Sequence, residues 1–184
     1  MRLKRCAILG ALILASAIYA HAQTETYTGT MVGIGGRMGG VTRSFTLTIM
    51  GRSSDSEVQR DVAILAEGGQ DALLRAVGDK SLGRFSLSGQ LGRQLNFVSE
   101  TTSSNGDRRI IILFERWLNL YEVRYGARSL DYPFGYVELV LDRNGRSEGT
   151  FIPAARVRFR NNQVEVENFG IYPARLTNIK LGKK

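Results

Sequence analysis

Beyond residue 23, only residues 54–79 carry a helical period, and the rest of the patterned chain alternates with period two. In SDSEVQRDVAILAEGGQDALLRAVGD, Val58, Val62 and Leu65 recur at i, i+4 and i+7 and line one face near the 3.6 period. Ser54 followed by Glu57 has the spacing of a capping box, hydroxyl and carboxylate each serving the other's backbone N–H. Gly68 and Gly78 stand where left-handed C-terminal caps fall, so the stretch is expected as two short helices with Gly68-Gly69 as the elbow. Such helices are marginal alone in water and must dock on a sheet. Asp61 falls at the edge of the apolar stripe and is expected to pair with an arginine of that sheet.

The sheet is legible as a series of hairpins. Residues 24–34 and 41–51 read as a first strand pair, with Phe45, Leu47 and Ile49 alternating with threonines. The glycine-rich linker 33–40 lacks a following helix and a Gly-Lys-Ser/Thr, so it reads as a hairpin loop rather than a phosphate loop. Phe85 and Leu87 precede a turn at 89–92. Asn105-Gly106 signals a two-residue hairpin that pairs Phe97 with Phe114 and Thr101 with Ile110. Around residues 142–146, a three-residue loop with Gly145 left-handed opposes Val137 to Phe151 and keeps Leu139 and Leu141 on one buried face. A two-residue Asn161-Asn162 turn pairs Phe159 with Val164 and Val157 with Val166, and opposes Arg158 to Glu165 and Arg156 to Glu167. The arginine row is first a register device and second a candidate anion site. Pro173 opens a last strand over 174–181. The expectation is an α+β, mainly β fold of one domain, residues 23–184. It is a strongly curved antiparallel sheet or partly closed β-barrel of about ten strands, with the two-helix insertion 54–79 packed on it and covering its open side.

The first 22 residues are expected to leave as a signal peptide. Arg2, Lys4 and Arg5 precede an apolar run over 7–20, and Ala20-His21-Ala22 is a cleavage signal. The protein is therefore expected in the periplasm or secreted, with no transmembrane segment after cleavage. Cys6 and His21 are the only cysteine and histidine, and both go with the leader. That excludes Ser–His–Asp and Cys–His nucleophiles and any metal site built on His or Cys, and no cofactor or metal is expected. The leader takes three of 25 basic residues and none of 17 acidic ones, leaving a net charge of +5. Arginines alternate with glutamates instead of forming a single-sign stripe, so nucleic acid is not an expected partner. Paired carboxylates remain open to a hydrolase, with Glu100, Glu115, Glu122, Asp131 and Glu138 available.

Residues 114–136, FERWLNLYEVRYGARSLDYPFGY, hold the aromatic and basic side chains suited to a ligand. Trp117, Tyr121, Arg124, Tyr125, Arg128 and Tyr132 are the candidate site residues, able to stack on a sugar ring or hold an apolar ligand with an acidic head. The same tryptophan and tyrosines at strand spacing also suit a core under a long loop. The leading reading is a non-catalytic exported binding module for a small apolar or glycan-like ligand, held between sheet and helices. The alternative is an envelope-associated structural or interaction protein on acidic polymers or lipids, followed by a carboxylate-dependent hydrolase. The runs GTMVGIGGRMGGVTRSFTL, EGGQDALL, YPFGYVEL and EVENFGIYPARLTNIKL resemble a family of exported bacterial proteins described as hypothetical. The resemblance implies export and brings no activity, ligand or catalytic residue. The hairpin pairing is open to test: replacing Glu165 and Glu167 together by Lys sets like charges across the ladder and is expected to cost about 1 kcal/mol. Urea unfolding measures it, and unchanged stability would count against the register.

Overall fold

Three hairpin registers decide which side chains meet. The computed structural model describes residues 24–35, 39–116, 128–143, 147–170 and 172–182. In chain order it contains β1 (Glu25–Val32), β2 (Thr42–Ile49), α1 (Asp55–Val77), β3 (Gly83–Leu87), β4 (Arg93–Gln94), β5 (Phe97–Thr102) and β6 (Arg108–Glu115). A 3-10 helix (Arg128–Asp131) then precedes β7 (Phe134–Leu141), β8 (Glu148–Arg160), β9 (Gln163–Asn168) and β10 (Ala174–Leu181). The β8–β9 register is the expected one, Phe159 on Val164 and Arg158 opposite Glu165, and Asn161 and Asn162 both take positive φ (49° and 60°). That is the conformation a two-residue turn matched to strand twist requires. Arg158 nevertheless ion-pairs diagonally, with Glu167 at 3.6 Å, and Arg156 turns to Asp131 at 2.8 Å. The β7–β8 register also sets Val137 on Phe151 as expected, although Gly145 lies outside the described residues.

The β5–β6 hairpin differs from expectation by one residue: Phe97 pairs with Leu113, not Phe114, and Thr101 with Arg109, not Ile110. The loop is one residue longer than a two-residue turn. Ser103 N–H donates to Asp107 O (2.9 Å), and Gly106 takes the left-handed conformation at φ 89°. Ser103 Oγ also bonds Asp107 O at 3.0 Å, a polar knot that the Asn-Gly signal alone does not reveal.

All ten strands form one antiparallel sheet in the order β4-β3-β2-β1-β10-β8-β7-β6-β5, with β9 paired to the far end of β8. Among the described residues no ladder closes the sheet. It is strongly curled, because Phe85 of β3 stacks on Phe114 of β6 (5.8 Å between centroids) although those strands stand next to opposite ends. Phe151 of β8 lies 5.1 Å from Phe85, and Phe45 of β2 lies 6.0 Å from it. These rings fill the inside of the curl with Leu47, Ile112 and Leu139, all fully buried. The Phe114 ring lies over Gly135 of β7, where a Cβ would sit 2.2 Å from a ring carbon. One mouth is capped by Glu25, Arg52, Glu100 and Arg108, in which each carboxylate accepts from both guanidinium groups.

Along β8 the ladder steps from Tyr136↔Ile152 to Phe134↔Ala155, so two residues of β8 oppose one of β7. Pro153, which has no N–H to give, occupies this bulge. The bulge keeps Ile152, Ala155 and Val157 together on the outer face, under α1. The helical segment thus packs on the outside of the sheet and does not cover the open side or plug the interior.

Ser54 caps α1 in the expected box, with Glu57 N–H on its hydroxyl and the Glu57 carboxylate on its N–H. The two-helix expectation becomes one helix with a sharp turn at Gly69 (φ 70°, ψ −172°). The left-handed residue is therefore Gly69, not Gly68. A straight helix of 23 residues would span about 35 Å, yet Lys80 returns to bond Glu57 and Asp61, so Gly69 folds α1 into two arms. Gly78 is right-handed (φ −56°), contrary to the expected left-handed cap. The side chain of Asn96 supplies the missing cap by donating to Gly78 O (2.9 Å) and Lys80 O (3.1 Å).

Asn96 is 4% exposed, and besides these bonds its Oδ1 accepts from Glu115 N–H at 2.9 Å. Asn96→Ala strands the Glu115 N–H and the Gly78 carbonyl, while Lys80 O keeps Gln94, and is expected to cost about 2–4 kcal/mol in urea unfolding. Asn105→Ala, in the exposed β5–β6 loop, is expected to cost less than about 1 kcal/mol.

Candidate functional site

The first arm of α1 presents valines where larger side chains would close the gap to the sheet. It starts beside β5, where Ser53 N–H donates to Val98 O at 2.8 Å, and crosses the outer face toward β8 and β9. At the elbow, Gln70 bridges the two layers: its amide donates to Asp131 O (2.8 Å) and its oxygen accepts from Val157 N–H (3.4 Å). Under this arm lies a cavity of about 230 Å³. Val58, Val62 and Leu65 roof it, Phe97, Ile111, Leu113 and Val157 floor it, and Leu73, Val164 and Val166 line its sides, with Val164 at an edge open to solvent. Cavities of about 150 Å³ with such walls stay dry and take up benzene. This one has room for an aliphatic chain on the order of eight carbons.

Charge is confined to the rim. Asp61, 1% exposed, accepts from Arg60 Nε and Nη2 at 3.0 and 2.7 Å on Oδ1 and from Lys80 Nζ at 3.3 Å on Oδ2. Its partners are thus the adjacent arginine and Lys80, not an arginine of the sheet. Lys80 also reaches Glu57 at 3.1 Å and so latches the two arms together. The Ser54 backbone N–H and then Lys80 hold the Glu57 carboxyl down to about 2. At the other side Arg109 Nε donates to Glu138 at 2.7 Å, and the buried Tyr136 hydroxyl donates to the same carboxylate at 2.8 Å. Burial, then the Glu138 carboxylate, push the Tyr136 phenol well above its ordinary value.

Of the six site residues read from the sequence, Trp117, Tyr121, Arg124 and Tyr125 lie outside the described residues. Arg128 opens the 3-10 helix. Tyr132 does not face the cavity. Its hydroxyl donates to Glu167 (2.9 Å), the Arg156 guanidinium lies 4.8 Å from its ring centre, and Phe169 packs at 5.0 Å. Arg156 and Glu167 are on the face of the β8–β9 hairpin opposite Val157 and Val166, so Tyr132 and the cavity stand on opposite sides of that hairpin. The sequence reading missed Ile111, Leu113, Val164 and Val166. The unbroken run Ile110-Ile111-Ile112-Leu113-Phe114 was the available signal, since a strand apolar at every position is covered on both faces.

Of the carboxylates available to a hydrolase, Glu100, Asp131 and Glu138 are engaged in ion pairs, whereas Glu115 enters through its backbone, its N–H bonding Asn96 and its carbonyl accepting from Arg93. Glu100 and Glu25 share Arg52 and Arg108, and although burial raises both carboxyls, their hydrogen bonds to these arginines, and to Tyr27 for Glu25, hold them below the ordinary value. That is the wrong direction for a general acid at neutral pH. Glu138 is held by Arg109 and Asp131 by Arg156; Glu122 lies outside the described residues. Among the described residues no group of three or more His, Cys, Asp or Glu could hold a metal ion, and no helix is long and apolar enough to cross a membrane. No protein-family model, curated protein or solved structure matches the chain.

A lowered carboxyl contributes stability above its unfolded value and loses it as pH falls toward the folded one. For Glu57 that window runs from 4.5 down to about 2. Glu57→Gln is expected to flatten the fall in unfolding free energy between pH 5 and 2 while leaving the part carried by Glu25 and Glu100. Urea titrations at stepped pH measure it.

Proposed function

We propose that this chain is an exported, non-catalytic binding module that holds one small apolar ligand between α1 and the outer face of the sheet. The observation that supports this reading is the apolar cavity of about 230 Å³ under the first arm of α1. The interior of the curl is occupied by phenylalanines, so in this reading it is a partly closed barrel used as scaffold, and the binding space is outside it. Aliphatic walls favour a hydrocarbon chain over a glycan, which asks for an open aromatic platform. Export rests on the basic start, apolar run and Ala20-His21-Ala22 of the leader, and the mature chain is expected to begin at Gln23.

Mass spectrometry of protein recovered from the cell envelope, under conditions that keep ligands bound, tests the reading. The wild type and Trp117→Ala are expected to carry the same small apolar species. Val62→Phe, which fills the cavity from its roof, is expected to lose it without a lower melting temperature. A species kept by Val62→Phe and lost by Trp117→Ala would move the site to the aromatic segment. No species in any sample would count against binding.

A further inference from the structure

The apolar cavity does not end blindly at β6. Arg109 lines both the cavity and an open groove over the β5–β6 hairpin, whose walls include Thr101, Thr102, Ser103 and Asn105. One guanidinium therefore stands at the junction of an aliphatic space and a hydroxyl-rich one. Its Nε is fixed from the sheet side by Glu138, while the side chain as a whole remains 56% exposed. At the opposite rim, Asp61 already holds two cations, Arg60 and Lys80, which makes that side unsuited to a cationic head. Resting on the binding reading above, we infer that the ligand is an amphiphile with an anionic head. Its chain lies under α1 and its carboxylate or phosphate sits on Arg109 at the mouth of the groove. A planar guanidinium that is more than half exposed suits either oxyanion, since both present paired oxygens at the right spacing.

Eight-carbon probes fit the cavity and separate the head from the chain. The full mature protein is titrated calorimetrically, at physiological salt, with octanoate, octyl phosphate, 1-octanol and octylammonium. At least one anion is expected to bind roughly tenfold tighter than octanol, and octylammonium weakest. Which anion leads identifies a carboxylate or a phosphate head. Arg109→Gln is expected to bring the anions to the level of octanol and leave octanol unchanged. Lys180→Gln, an exposed charge on β10, is expected to leave the order of the probes intact. Glu138→Gln, which releases Arg109, is expected to tighten the anions alone. Octanol binding with no anion preference, or a preference that survives Arg109→Gln, overturns the anionic head and leaves the cavity reading standing. Failure of all four probes to bind overturns both.

Discussion

β4 and β5 stand at opposite ends of the sheet, yet only Leu95 and Asn96 separate them along the chain. A flat sheet of this order would hold its ends tens of ångströms apart, so the chain has no choice but to curl. The link is fixed on both sides. Leu95 N–H donates to Gly83 O in β3, Asn96 N–H donates to Leu113 O in β6, and Arg93 donates to Glu115 O. From this follows the rest of the interior. Phenylalanines on β2, β3, β6 and β8 meet because the curl brings their strands face to face, and each close aromatic pair adds about 0.5–1.5 kcal/mol beyond its buried area. The four-membered ring of Glu25, Arg52, Glu100 and Arg108 closes over one mouth for the same reason, joining β1 to β5 and β6 across the gap.

Asn96 also shows how sheet and helix depend on a single residue. Its side chain caps the C-terminal arm of α1 and its backbone and Oδ1 bond β6, so the position of α1 over the outer face is set by the same residue that ties the sheet's ends. Lys80, a few residues earlier, then fixes the N-terminal arm through Glu57 and Asp61. The two arms are placed from one point, and Gly69 supplies the only turn sharp enough to allow it.

Local features of this arrangement were legible in the sequence. The capping box at Ser54, the positive-φ asparagines at 161–162 and the Val137–Phe151 pairing each depend on neighbours within one hairpin or one helical turn. What the sequence left open is long-range. The β5–β6 register turned on a side-chain knot among Ser103, Asn105 and Asp107 that competes with the Asn-Gly signal. Gly78 was read as a cap because the actual cap, Asn96, lies 18 residues away. The aromatic run beyond Arg116 drew attention by composition, whereas the cavity is built mostly from aliphatic side chains of α1, β6, β8 and β9, with Phe97 of β5. No spacing rule gathers those in advance. Only the three consecutive isoleucines of β6 hinted that its outer face would be covered.

Physical cost is the reason to take the cavity seriously. The space of about 230 Å³ is open at Val164 and Arg109, so when it is empty the apolar side chains of Val58, Val62, Ile111 and Val164 keep surface in contact with water, which is unfavourable. Val58 and Val62 could each be enlarged by a methylene without leaving the helical stripe, and either change would shrink the gap at little local cost. The interior of the same sheet has no such slack: its rings touch, and Gly135 is bare of a side chain because Phe114 occupies the place. One face of β6 is packed to contact and the other is left open, under the same strand and within the same five residues. The looser packing lies beneath an arm latched by ion pairs and turning on a glycine, and the binding reading proposed above rests on that contrast between the two faces.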